Sequence, residues 1–356
     1  MSISLQTMGI LSSFSKRKSS ILLIESVSFA TIVLPLLWNK IDNSKSNSLI
    51  SWDVSKELGE GAMHLKGLEK LREKLPDYPG NRIAMLPLRG LLATVVGYLF
   101  LIVLDSLPRL FNGIEILVFL EPFIPLLGSL FLACLAFWLI GRLWSQRDSM
   151  KEKYGDRAYQ RMIMKGVTGV FLIPPLVFHA ATSIRSLNLT IPPIPPVNEL
   201  SILWSQSILP MLGVPSEVDI VIRVLLSGFF LLLGGLTVRA ALFTFGIDYM
   251  TVVYLYYPEE SEIQNHEIYS IVRHPAYMGG VLLTVAAIVF RFSIYSMILG
   301  FIAYLVFKLQ TFREEKELIE RFGDSFREYM SRTTALYVKP KEIPTYLRFL
   351  KGSHGQ

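Results

Sequence analysis

Residues 276–310 read AYMGGVLLTVAAIVFRFSIYSMILGFIAYLVFKLQ, and this stretch decides the fold. Two apolar runs, 276–291 and 293–310, are separated only by Arg291-Phe292-Ser293. A helix rises about 1.5 Å per residue and a hydrocarbon core is about 30 Å thick, so runs of this length suit membrane spans. The tight turn between them makes a helical hairpin, which returns the chain to the side from which it came.

Working outward, comparable runs occupy 21–38, 89–106, 115–140, 167–184 and 220–246. The expectation is an all-α, polytopic transmembrane helix bundle of about seven spans. Composition agrees, since 51% of the 356 residues are hydrophobic and only 18% are charged. That is too apolar for a soluble domain, which covers its surface with charge. The run 115–140 holds Glu121, Pro122, Pro125 and Gly128, which allow a kink or a short hairpin. Lys16-Arg17-Lys18 precedes the first run, which contains Glu25 and no small-residue cleavage pattern, so it reads as a retained helix or anchor. Cys134 is the single cysteine, which excludes an intramolecular disulfide and a cysteine-built metal cluster. The net charge of +6 comes from basic residues beside apolar runs, which points to membrane lipid headgroups and not to nucleic acid.

Lys and Arg in short loops set orientation. Residues 141–166 hold Arg142, Arg147, Lys151, Lys153, Arg157, Arg161 and Lys165, while 186–218 hold none. The first loop is expected in the cytoplasm and the second outside. With seven spans, 40–88, 247–275 and the tail from 311 join the cytoplasmic side, and Lys16-Arg17-Lys18 is the exception, which suggests an interfacial first segment. Residues 186–218, with six prolines, read as an external cap. An amphipathic helix is expected near Met63 to Leu75, ended by Pro76-Asp77 and Pro79-Gly80. A seven-residue echo links Lys153–Tyr159 with Arg321–Arg327, and both duplication and coincidence remain open.

The most unusual stretch is Tyr269-Ser270-Ile271-Val272-Arg273-His274-Pro275-Ala276-Tyr277-Met278-Gly279-Gly280. Pro275 suits the first turn of a helix. Arg273 and His274 then sit at a membrane boundary beside free N–H groups and the positive end of a helix dipole, a corner suited to an anion such as an amino-acid carboxylate. Gly279 and Gly280 permit close approach of a helix or a ligand. The plain alternative is two basic side chains snorkelling to headgroups. Arg313-Glu314-Glu315 forms the second feature, followed at helical spacing by Leu318, Phe322, Phe326 and Tyr329. Adjacent helical side chains point roughly 100° apart, so at most one of Glu314 and Glu315 is expected to face a given pocket. The plain alternative is a solvated face, but the 276–310 hairpin returns both carboxylates to the side of Arg273 and His274.

Together, Tyr-x-x-x-Arg-His-Pro-x-Tyr-x-Gly at 269–279 and Glu-Glu-x-x-Leu-x-x-x-Phe-Gly-x-x-Phe-x-x-Tyr at 314–329 resemble the isoprenylcysteine carboxyl methyltransferase and phospholipid methyltransferase family of membrane enzymes, over about 220–340. The resemblance implies an S-adenosylmethionine-dependent methyltransferase whose cofactor pocket is closed by the C-terminal segment. By position, Tyr269, Arg273, His274, Tyr277, Gly279, Glu314 and Glu315 would bind the cofactor; no residue is assigned to the chemical step, and no metal is required. The division expected is an N-terminal transmembrane extension, 1–166, and a methyltransferase core, 167–356. The departures are His266-Glu267-Ile268, where relatives often carry a glycine-containing turn, and Ser270, where many carry a basic residue. The implied acceptor is a lipophilic small molecule or lipidated group, such as a prenylcysteine carboxylate or a lipid headgroup, approached from the bilayer. Competing readings are an NADPH-dependent enzyme resembling sterol reductases and a non-catalytic membrane protein keeping the fold. A transporter fits less well, since Glu25, Glu121, Arg223 and Arg239 form no evident relay. Arg239 is read as a helix-packing residue or one aimed at the pocket.

Overall fold

The computed structural model describes residues 66–183 and 195–351; the expectations for 1–65 and 184–194, including the run 21–38, fall outside them. The described residues fall within one compact unit. Among the described residues every element is helical, and the one extended pairing is an isolated parallel bridge between Val272 and Thr334. The helices used below are α1 (Leu68–Glu73), α2 (Met85–Leu110), α3 (Ile124–Ser145), α4 (Ala158–Phe171), α5 (Ile173–Thr182), α6 (Ser216–Phe245), α7 (Pro275–Arg291), α8 (Ile294–Phe322), α9 (Asp324–Arg332) and α10 (Ile343–Leu350).

Five stretches among the described residues are long and apolar enough to cross a membrane: Arg82–Leu110, Ile124–Ser145, Arg147–Thr182, Ser216–Phe245 and Ile294–Phe322. The apolar α7 is shorter. Leu88, Leu92, Leu225 and Leu232 are each more than half exposed. Apolar side chains turned outward in this number belong against lipid, because in water they would form a patch far larger than a soluble protein tolerates. The chain is an integral membrane protein.

The helices pack around Leu101, Leu132, Ala136, Leu176, Leu299 and Ala303, all buried. Small residues bring α6 and α7 together: a Cβ on Gly279 would lie 3.0 Å from the Gly234 carbonyl oxygen and 2.6 Å from Val238 Cγ2. Such clashes require glycine where two helix backbones touch. One end of the bundle gathers 66–85, 145–165, 246–274 and 312–351, tied by Ile247 N–H donating to the Lys66 carbonyl (2.9 Å), Tyr256 to the Leu143 carbonyl (3.1 Å) and Arg147 pairing with Glu317 (2.7 Å). The opposite end gathers 111–123, 195–215 and the 291–293 turn, where Tyr295 donates to the Pro122 carbonyl (3.0 Å) and Arg291 to that of Ser205 (2.7 Å). This matches the pairing of loops read from their basic residues.

Three boundaries differ from the sequence reading. The run 115–140 is broken: a short helix, Glu115–Leu120, stops at Glu121-Pro122-Phe123, and α3 begins at Ile124. Pro122 lacks a donor, and the buried Glu121 carboxylate accepts from the Val197 and Asn198 amides at 3.0 and 2.6 Å. The run 167–184 belongs to a longer element, because α4 starts at Ala158 and passes into α5 with an interruption at Leu172, ahead of Pro174-Pro175. The run 293–310 extends as α8 to Phe322, capped by Ser293 in a reciprocal box with Ser296. The seven-residue echo corresponds to one shared turn: Gly155 (φ 54°, ψ −131°) and Gly323 (φ 59°, ψ −129°) each end a helix in a conformation open to glycine. Arg239 does neither of the things expected of it. It is exposed and lies over Phe243 on its own helix, 5.6 Å from the ring centroid.

Candidate active site

The corner forms where α7 begins. Residues 271–274 run alongside 333–335: Arg273 N–H donates to the Thr334 carbonyl (2.8 Å), His274 N–H to that of Ala335 (3.2 Å) and Thr334 N–H to that of Ile271 (3.4 Å). This pairing fixes the C-terminal segment across the N-terminus of α7. It also aims Arg273 at α8, where Nε and Nη2 donate to Glu315 Oε1 at 2.9 and 2.8 Å. Nη1 reaches the carbonyls of Thr333 (2.5 Å) and Met330 (3.1 Å). One guanidinium thus joins α7, α8 and the end of α9 through charge-assisted bonds.

Tyr277, one turn into α7, donates to the Glu314 carboxylate, which also accepts from Gln310 Nε2 at 3.0 Å. His274 lies between the two glutamates, its Nδ1 3.6 Å from Glu314 Oε2 and its Nε2 3.3 Å from Glu315 Oε1. Its ring is nearly parallel to that of Tyr277, with centroids 5.7 Å apart. Nε2 is buried and makes no hydrogen bond of acceptable geometry. Both glutamates therefore meet the corner, contrary to the helical-angle expectation. Arg273 and Tyr277 lie on different sides of the same contact, so the corner spans enough of α8 for neighbouring side chains to reach it. Arg313 turns away, its guanidinium 3.8 Å from the centroid of Phe137 on α3.

Tyr269 is buried, stacked on Phe245 at 4.6 Å, and its carbonyl accepts from Tyr329 Oη at 2.6 Å. Burial pushes both phenols well above their ordinary range, so each stays a neutral donor at physiological pH. The preceding departure has a structural answer. Glu267 adopts φ 49°, the left-handed region that a glycine turn would supply, and its carboxylate accepts from Thr244 Oγ1 at 2.5 Å. A side-chain bond to α6 compensates a backbone conformation costing about 1–2 kcal/mol. Ser270 is exposed and donates to the Glu267 carbonyl at 2.6 Å.

Of the seven residues read from the sequence, Arg273, His274, Tyr277, Glu314 and Glu315 converge. Tyr269 stands behind them, and Gly279 is occupied by the crossing with α6. Gln310 and Phe245 were missed. Gln310 had a signal, being a polar residue inside an apolar run four positions before a carboxylate. Phe245 had none, since one aromatic at the end of a span looks like any other. No group of three or more metal-ligating side chains occurs among the described residues.

Neither the curated proteins nor the solved structures offer a match to the chain. A family model does: residues 224–320, from α6 through the Glu314-Glu315 pair of α8, match the Isoprenylcysteine carboxyl methyltransferase (ICMT) family. These residues carry both sequence motifs' charged centres and the helices that bring them together, and over this stretch, about a quarter of the chain, the protein is similar to the isoprenylcysteine carboxyl methyltransferase family.

Proposed function

We propose that the chain transfers a methyl group from S-adenosylmethionine to a lipophilic acceptor at the cytoplasmic face of its membrane. The observation that carries this reading is the convergence of Arg273, His274 and Tyr277 on Glu314 and Glu315 at one bundle end, inside the region matched to the family. The donor set fits an amino-acid-like cofactor. Glu314 offers a carboxylate to an ammonium group, and His274 Nε2 is a buried ring nitrogen available to a second polar group. Arg273, already committed to Glu315 and two carbonyls, positions the corner and the 333–335 segment.

When bound, the cofactor supplies a methyl group on a positively charged sulfur. Aligning a donor with an acceptor and excluding water is the main requirement for such a displacement, and the pinned 333–335 segment is placed to act as a cover. A carboxylate acceptor of the prenylcysteine type is ionised at neutral pH and needs no base. An amine headgroup must lose a proton, which His274 or a glutamate of the corner would receive or pass to water. The cytoplasmic assignment rests on the basic residues of 142–165, which share this end.

Calorimetric titration of the detergent-purified chain with S-adenosylhomocysteine, beside Arg273→Ala, Glu315→Ala and an NADPH control, tests the reading. Saturable binding weakened by both substitutions is expected. A folded protein that ignores S-adenosylhomocysteine overturns it, and NADPH binding in its place would point to a reductase.

A further inference from the structure

We propose that a basic pocket between residues 77–85 and α4 binds the phosphate of an anionic phospholipid. The assignment is independent of methyl transfer. A cavity of about 440 Å³ is lined by Asp77, Tyr78, Arg82, Met85, Gln160 and Arg161. It lies at the start of the Arg82–Leu110 span, at the level where headgroups meet the hydrocarbon.

The charges in it are unbalanced. Asp77 is held by buried Gln160, whose Nε2 donates to Asp77 Oδ2 at 2.7 Å and whose Oε1 accepts from Asp77 N–H at 3.1 Å. Neither the Arg82 nor the Arg161 guanidinium makes a hydrogen bond or an ion pair among the described residues; Arg161 has only the Tyr154 ring, 5.9 Å away. Three other arginines at this bundle end are committed to carboxylates: Arg147 and Arg321 to Glu317, and Arg273 to Glu315. Further cations continue along the seam between α2 and α4. Arg89 Nε donates to Thr168 Oγ1 at 2.8 Å, and Lys165 lies one helical turn beyond Arg161.

Guanidinium forks recognise phosphate oxygens bidentately, and two arginines that make no ion pair have their donors available for that, against the single carboxylate of Asp77 in the lining. What selects a lipid over a free phosphate is the surface beyond the cations. Leu88, Leu92 and Val96 on α2 and Val170 on α4 are exposed and apolar, so acyl chains can lie along the surface that continues from the basic seam.

Native mass spectrometry of the full chain in detergent tests this, with dioleoyl phosphatidic acid, dioleoyl phosphatidylcholine and inorganic phosphate as probes. The double variant Arg82→Gln/Arg161→Gln is compared with the wild type and with Arg327→Gln/Arg332→Gln, a control altering exposed arginines of α9. The expected result is a saturable phosphatidic acid adduct that resists excess inorganic phosphate, weakens roughly tenfold or more in the pocket variant and is unchanged in the control. Equal adducts with phosphatidylcholine, displacement by inorganic phosphate, or full retention in the pocket variant would each overturn it. If the double variant does not purify folded, the single substitutions are read in the same way.

Discussion

Two buried clusters, each with a histidine, carboxylate and hydroxyl, stand at opposite ends of the bundle. Beside the 291–293 turn end, His179 of α5 has Nε2 2.9 Å from Asp105 Oδ2 of α2 and Nδ1 2.7 Å from Ser129 Oγ of α3. By residue type and order of contact this is the serine, histidine and aspartate arrangement of many hydrolases. Yet His179 and Ser129 are 0% exposed and Asp105 3%. A hydroxyl that no substrate can reach serves as a hydrogen-bond staple, here tying three helices together where the surroundings are dry. At the other end, His274, Glu314 and Glu315 retain 8%, 20% and 15% side-chain exposure and lie where helices end. The same chemical groups differ in access, and access separates a candidate site from a fastening.

The largest effect is expected from Arg273→Ala. It leaves Glu315 without its cation and frees two carbonyls, a loss of about 3–5 kcal/mol for a broken buried pair. S-adenosylhomocysteine affinity should fall below detection, as read by calorimetry. An Arg273→Ala protein that binds as tightly as the wild type would erase the distinction between the two ends.

His179→Ala is expected next, at about 2–3 kcal/mol of lost stability, because Asp105 and Ser129 lose the ring that joins them in the interior. Denaturant titration in mixed micelles would measure it. S-adenosylhomocysteine affinity of the folded fraction should not change, and a parallel loss of affinity would make the staple part of the site. Tyr277→Phe should have a smaller effect, about 1–1.5 kcal/mol or roughly tenfold in affinity, since Glu314 keeps Gln310 as a donor.

These two clusters were not equally legible in sequence. The Arg273–Tyr277 corner is contiguous along the chain, and Glu314-Glu315 follows from a hairpin whose turn length is visible, so linear reading could join them. Asp105, Ser129 and His179 lie on three helices with no shared local pattern, each a polar residue in or at the end of an apolar run, and only packing shows that they meet. The bundle itself was legible because lipid imposes long apolar runs. The break at Glu121-Pro122 was suggested by residue type, but its outcome depended on the distant Val197 and Asn198 amides. Glu267 shows the same limit, since its left-handed backbone is supported by Thr244 from another helix.

The smallest predicted effect sharpens the contrast through pH. At the candidate-site end, α1 is clipped to the 244–260 segment: Lys66 Nζ donates to the Thr244 carbonyl at 2.6 Å, and Lys70 and Lys74 pair with Glu260 at 2.9 and 2.7 Å. That segment includes Phe245, on which Tyr269 stacks. The hydrogen bond from Lys74, then that from Lys70, holds Glu260 below the ordinary carboxylate range. A depressed folded-state pKa gives a contribution that is complete above the unfolded carboxylate's range and is lost as pH falls through the depressed value. Glu260 is partly exposed, so the contribution is about 1 kcal/mol or less. Hydrogen exchange of 66–75, corrected for intrinsic rate, should therefore quicken several-fold on acidification below that range. Glu260→Gln should raise exchange at neutral pH and remove most of the dependence. Equal acid sensitivity in Glu260→Gln would move the source of the effect away from this clip and leave α1 held by its buried Leu71 and the neighbouring Leu75.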